Sequence, residues 1–311
     1  MRTTEKVLAA CLVAVATAAA QQNTITNLYD AFGLGKKGTV LDWGYSVLIR
    51  YHGRTILFDA GGNADLFERN VKAAGTDLKQ VEFAVLSHKH GDHASGFDYV
   101  LTVNPSLKLY LPNDSALGGG TGLPLPKVSP ELRAALTPEE LYFKGADKDF
   151  GGAWGPRFWH AKGEFVPTSR EIGPGLTLIT TRSPMIGDFS RYPPNEAQPQ
   201  LSGTPELSLA MMTANGVVLV TGCSHSRVEA IVAETKKITQ KNIYLVIGGF
   251  HLLPYNAAEI NRLARQMKDE LGVERVAPAH CTGPLGFKIF KDVYGANYSY
   301  AGLESTVRFP D

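Results

Sequence analysis

Apolar positions along the chain keep two rhythms, and joints rich in glycine and proline separate the stretches that carry them. "YSVLIRYHGRTILFDAGG" sets Val47 and Ile49 two apart and breaks at His52-Gly53, which predicts two strands joined by a hairpin turn. "NADLFERNVKAAG" spaces Leu66, Asn70 and Val71 as a helix face and stops at Gly75, a common terminator. "VEFAVLS" and "LKLYLP" read as short buried strands. "LTLITT" predicts another strand, and "ELSLAMMTANGVVLVTG" a hairpin turning at Asn215-Gly216. Helix and strand patterns then alternate through "RVEAIVAETKKI", "NIYLVIGG", "AAEINRLARQMKDELG" and "ERVAPA". A short helix and a strand near "LESTVRF" close the chain. Hairpins mixed with strand–helix units in both halves predict an α/β fold of two packed sheets with helices outside. No composition break divides residues 21–311, so one domain is expected.

Two stretches depart from these rhythms. Residues 112–170 are rich in glycine, proline and aromatics, and only "SPELRAAL" keeps helical spacing. A long irregular insertion in a compact domain is usually a lid or binding loop. At the other end, "MRTTEK" is charged, "VLAACLVAVATAAA" is small and apolar, and "QQNT" turns polar. That order predicts a signal peptide over residues 1–20 and a periplasmic or secreted protein. The apolar run is too short to span a bilayer. "LAAC" resembles a lipoprotein box, but Cys11 comes too early for an apolar region to precede it. Cleavage would leave Cys223 and Cys281, which an exported chain could join in one disulfide. Each adjoins a histidine, in "GCSH" and "AHC", so both are read instead as free or ligating thiols.

With 311 residues, 44% hydrophobic and 20% charged, the chain has ordinary globular composition. Its net charge of +1 gives no electrostatic reason for nucleic acid or anionic membrane as a partner. The expected partner is a small-molecule substrate.

Histidine is scarce, eight in all, yet three fall within "HKHGDH", residues 88–93. His88 and His90, two apart in an extended stretch, can address one point. Past Gly91, Asp92 and His93 can address a second. Imidazole and carboxylate together suit a divalent ion, and two adjacent ions suit activation of water. His225, His251 and His280 each follow an apolar strand, the pattern of a site built along one sheet edge. His52 reads as a turn residue. His160 and Trp159 lie in the insertion and are candidates to meet substrate, while Trp154, Phe158 and Trp159 equally form a local apolar cluster.

"HKHGDH", the "LFDAG" around Asp59 and the "PAHC" at His280 resemble the metallo-β-lactamase fold superfamily of metal-dependent hydrolases. The resemblance implies a four-layer αβ/βα sandwich over nearly all of residues 21–311. The longer strings "TGCSHSRVEAI", "GGFHLL" and "APAHCTG" are similar to a subgroup named for a dihydropterin-ribofuranosylaminobenzene-phosphate synthase. Carried over, the resemblance gives His88 and His90 to a first ion, and Asp92, His93 and His280 to a second. Asp59 would orient the histidine loop from behind. Many relatives place a histidine upstream of the "VVLVTG" strand and a bridging aspartate directly after it. Here the histidine is missing and Cys223 stands at the aspartate position. His225 is expected to take over at the first ion, and Cys223 is either a thiolate ligand or a small buried neighbour. A thiolate would favour zinc over iron or manganese as the one or two ions bound.

The expected chemistry is attack by metal-bound hydroxide on an ester, lactone or phosphoester. Asp92 would orient the water, and His251 would stabilise charge or protonate the leaving group. An exported chain is poorly placed for the pterin chemistry in the subgroup's name, and the altered bridging position argues against β-lactamase activity. A non-catalytic metal-binding protein is the reading from another class, and the intact Asp92 speaks against it.

Overall fold

The computed structural model describes residues 22–35, 38–114, 117, 130–135, 137, 161–182 and 204–311. The first half of the chain supplies strands β1 (Thr24–Tyr29), β2 (Ser46–Tyr51), β3 (Arg54–Phe58), β4 (Phe83–Val85), β5 (Lys108–Pro112) and β6 (Lys162–Val166). The second supplies β7 (Arg170–Gly173), β8 (Leu176–Arg182), β9 (Pro205–Thr213), β10 (Gly216–Thr221), β11 (Ile243–Gly249), β12 (Arg275–Ala279) and β13 (Thr306–Arg308). One sheet runs β13-β1-β2-β3-β4-β5-β6 and the other β12-β11-β10-β9-β8-β7. Both are mixed: β3 to β6 pair in parallel, as do β10 to β12, and the remaining pairings are antiparallel.

Helices α1 (Ala64–Ala73), α2 (Gly91–Ala94), α3 (Phe97–Val103) and α4 (Pro130–Ala135) belong to the first half, and α5 (Val228–Thr239), α6 (Ala257–Arg265) and α7 (Gly283–Tyr294) to the second. Alternation along each strand decides how the layers stack, because successive side chains point to opposite faces. In β2 and β3, Val47, Ile49, Ile56 and Phe58 face the other sheet's Leu178, Leu209, Val218 and Val220 in a central core. Leu48 and Leu57 turn the other way, against Phe67 and Val71 of α1 and Phe97 and Val100 of α3. Across the sandwich, Val217 and Leu219 of β10 meet Val228 and Val232 of α5, with Leu263 of α6 and Phe290 of α7 in the same cluster. Helix, sheet, sheet and helix are therefore the four layers.

Three details differ from the sequence reading. The irregular insertion does not run to residue 170: Lys162–Val166 is a strand paired parallel to β5. Its edge position leaves Lys162 and Gly163 exposed, so it shows no alternation. β1 was not expected, because polar Asn27 is buried within it and hides the rhythm. The helix read through Gly272 leaves α-geometry at Gln266, where the Leu271 N–H bonds back five residues to the Gln266 carbonyl. The signal-peptide reading lies outside the described residues, as do Trp154, Phe158, Trp159 and His160. Among the described residues no helix is long and apolar enough to cross a membrane.

Candidate metal centre

Each candidate ligand sits at or just past the end of a strand that runs parallel to a neighbour. β4 leads into Ser87, His88 and His90, and the single turn of α2 presents Asp92 and His93. β10 leads to Cys223 and His225, β11 to His251, and β12 to His280. Strands that share a direction deliver their ends to one edge, where open α/β sheets gather ligands. Asp59, His251 and His280 have φ of 57°, 52° and 46°, in the left-handed region. Such non-glycine conformations cost of order 1–3 kcal/mol each and cluster at functional sites.

Two donor sets result. In the first, His88 Nε2 lies 3.0 Å from His90 Nδ1 and 3.2 Å from His225 Nε2. In the second, His93 Nε2 lies 3.2 Å from both Cys223 Sγ and His280 Nε2, and Asp92 Oδ2 is 3.3 Å from His280 Nε2. Within each set one donor atom per residue falls within 4.8 Å of all the others. The His88 and His93 rings are 4.3 Å apart, so the sets adjoin. A third grouping, Cys223, His251 and Cys281, overlaps the second at Cys223.

The donors fit a divalent cation. Buried ring nitrogens that face one another share too few protons to satisfy every lone pair, and an ion between them removes that conflict. Burial and then the neighbouring imidazoles push His88 well below its ordinary pKa, and His225 to about 2, so both are the neutral form that ligates. Burial opposes ionisation of Asp92, but His93 and His280 outweigh it and hold the carboxyl well below the usual range. Burial likewise opposes a charge on His93, and Asp59 with Asp92 overcomes it, raising His93 to about 9, so an ion at the second set would have to displace the Nε2 proton.

One carboxylate orients a histidine of each set. Asp59, fully buried, accepts from the Ser87 N–H and hydroxyl at 2.7 Å each, and from His93 Nδ1 at 2.6 Å. Ser87 Oγ is in turn 2.9 Å from His88 Nδ1. Holding Nδ1 turns Nε2 of both rings toward the donor sets, the arrangement that fixes tautomer and aim in metal sites.

The structure thus brings together His88, His90, Asp92, His93, Cys223, His225 and His280, with Asp59 behind them. His251 stands beside the first set, its ring 4.6 Å from that of His225. His52 is in the turn between β2 and β3. The sequence reading missed Asp30, Glu206 and Trp43, and named Cys281 only as a free or ligating thiol. Asp30, buried, accepts from the His280 backbone N–H at 3.1 Å, and its carboxyl is pushed up to about 7 by burial. Its "LYDA" repeats the "LFDA" of Asp59, which is the signal that was available. Glu206 accepts from the Ser226 N–H at 2.9 Å and steadies the His225 loop. Trp43, half exposed, has its ring 4.8 Å from that of His280. Cys281 lies with its Sγ 3.5 Å from Cys223 Sγ.

Two mixed sheets between helices, with an H-x-H-x-D-H loop at their common edge, define a class of fold, and part of the chain is similar to the metallo-beta-lactamase superfamily. The superfamily profile matches residues 43–175. A curated relative in Methanocaldococcus jannaschii, 7,8-dihydropterin-6-methyl-4-(beta-D-ribofuranosyl)-aminobenzene-5'-phosphate synthase, is 27% identical over 82% of this chain and 85% of its own. The crystal structure of Tm1679, described as a metal-dependent hydrolase of the beta-lactamase superfamily, superposes with a TM-score of 0.65 at 24% identity. That match covers 93% of this chain and 100% of the other. YhfI from Bacillus subtilis, a metallo-beta-lactamase fold protein, covers the same shares with a TM-score of 0.51 at 13% identity.

Proposed function

We propose that the protein is a metal-dependent hydrolase of an ester, lactone or phosphoester. The observation that carries this reading is the pair of adjoining donor sets, His88/His90/His225 and Asp92/His93/Cys223/His280. Divalent ions held there supply Lewis acidity and lower the pKa of water toward neutrality. The residues of the chain do the rest. Asp92 is the most exposed donor of its set, with 21% of its side chain accessible, and is placed to accept a proton from attacking water. His251, whose ring lies 4.6 Å from that of His225, is the candidate to deliver a proton to the leaving group. Trp43 walls the His280 side, where it would exclude water. Zinc is the ion proposed, because the second set includes a thiol. Export to the periplasm or medium is part of the proposal, and the N-terminal residue of the purified protein tests it.

Asp92→Ala tests the hydrolase reading on a panel of generic esters, lactones and phosphodiesters. Turnover by the native chain and its loss in the variant, with the fold retained, is expected. No turnover by the native chain, while metal stays bound, would favour a binding protein instead. A second reading has its own support: the synthase relative is 27% identical over most of both chains. Formation of the product in that relative's name would select it.

A further inference from the structure

The two adjoining donor sets employ Cys223 and not Cys281, which enters only the third grouping with Cys223 and His251. Both are free thiols, 3% and 2% exposed, with Sγ atoms 3.5 Å apart, and Cys281 Sγ is also 3.4 Å from the Cys223 carbonyl. They follow β10 and β12, which are not neighbours, since β11 runs between them. Strands two apart stand roughly 9–10 Å from each other. The end of β11 is what lets the sulfurs meet. A Cβ on Gly249 would lie 2.8 Å from Cys281 Sγ, 3.3 Å from Cys223 Cα and 2.5 Å from the Gly222 carbonyl oxygen. Glycine leaves that space open, and the two flanking loops close over it.

We propose that Cys223 and Cys281 are an oxidisable pair, and that a disulfide between them withdraws Cys223 from the Asp92/His93/His280 set. The sulfurs would close from 3.5 Å to the bonded length of about 2.05 Å, an approach of about 1.5 Å. The oxidant is a peroxide. One sulfur, as thiolate, attacks a peroxide oxygen, the O–O bond breaks, and hydroxide leaves behind a sulfenic acid. The other sulfur attacks that sulfenic sulfur, forms the S–S bond and expels water. Two thiols thus give up two electrons and two protons, and the peroxide becomes two waters. A sulfur in a disulfide is no thiolate ligand, so an ion at the second set and the disulfide exclude each other. That exclusion rests on the metal reading, whereas formation of the disulfide does not.

The test treats the full chain with hydrogen peroxide, once stripped by chelator and once loaded with zinc, and maps unreduced peptides. Mapping separates Cys11 from the pair. The stripped chain should yield a Cys223–Cys281 linked peptide, lighter by two hydrogens and reversed by dithiothreitol. It should then bind its second zinc at least about tenfold more weakly until reduced. The zinc-loaded chain should form the link at least about tenfold more slowly. Cys281→Ala, or Cys281→Ser if alanine unfolds, should abolish the link and make zinc binding indifferent to mild peroxide. Absence of the link, or separate over-oxidation of each cysteine, overturns the proposal. A link that leaves zinc binding unchanged overturns the exclusion and, with it, the role of Cys223 as a ligand.

Discussion

Asp59→Asn isolates the one carboxylate that serves both donor sets. The substitution preserves shape, and the amide oxygen can still accept from the Ser87 N–H, now at 2.7 Å. The other oxygen is the one that matters, because it accepts from Ser87 Oγ and from His93 Nδ1. An NH2 group there can only donate. The Ser87 hydroxyl can turn to accept, but His93 must give up its Nδ1 proton and carry it on Nε2. That nitrogen is 3.2 Å from Cys223 Sγ and from His280 Nε2, so the proton would sit where an ion is to bind. Ser87 Oγ, which gives its proton to Asp59 and so accepts from His88 Nδ1–H 2.9 Å away, would be free to point that proton at Nδ1 instead, shifting the His88 proton to Nε2 and disturbing the first set. Loss of such orienting partners costs about 10–100-fold in metal affinity, or about 1.4–2.7 kcal/mol. The assay is zinc competition with a chromophoric chelator, on protein whose melting curve shows it folded. Weakening at both positions is expected. Native affinity at both would refute the argument, and loss confined to one would refute the relay through Ser87.

Other substitutions and conditions probe other parts of the account. Glu206, buried, has its carboxyl raised from 4.5 to about 7, chiefly by burial, with the N–H groups of His225 and Ser226 opposing. The folded state therefore binds this proton more tightly than the unfolded one, so metal-free protein should lose stability as pH rises from about 4.5 to about 7, by up to about 3 kcal/mol. Glu206→Gln should flatten that decline in urea unfolding, and an unchanged slope contradicts the assignment. Gly96→Ala would set a Cβ 1.8 Å from the Ala60 carbonyl oxygen, beside the histidine loop. Destabilisation of about 3 kcal/mol or more is expected by thermal melting, and a native melting temperature would show that the loop yields. Chelator should lower the melting temperature, since an ion at about 100 times its Kd contributes about 2.7 kcal/mol; identical curves with zinc and with chelator contradict a bound ion.

What could be read from the sequence follows from how local each signal is. The β2–β3 hairpin, α1 and the α5-to-β12 run announce themselves because their apolar spacing is set by neighbours a few residues away. β6 and β7 do not, since both are edge strands with exposed positions. Histidines after apolar strands were legible as candidate ligands because a strand end is itself visible in the sequence. Asp30 was not, because its partner is the backbone of His280, two hundred and fifty residues on. Cysteine count alone allowed Cys223 to pair with Cys281, but the approach of the two sulfurs depends on the order β12-β11-β10 and on the gap at Gly249, which the sequence does not display.

The most direct test of two adjoining ion positions is elemental analysis of protein purified without added metal. Close to two equivalents of zinc, iron or manganese per chain are expected, falling to about one when His88 and His90 are both changed to alanine. A chain that carries no metal, and takes up none from stoichiometric zinc, would contradict it.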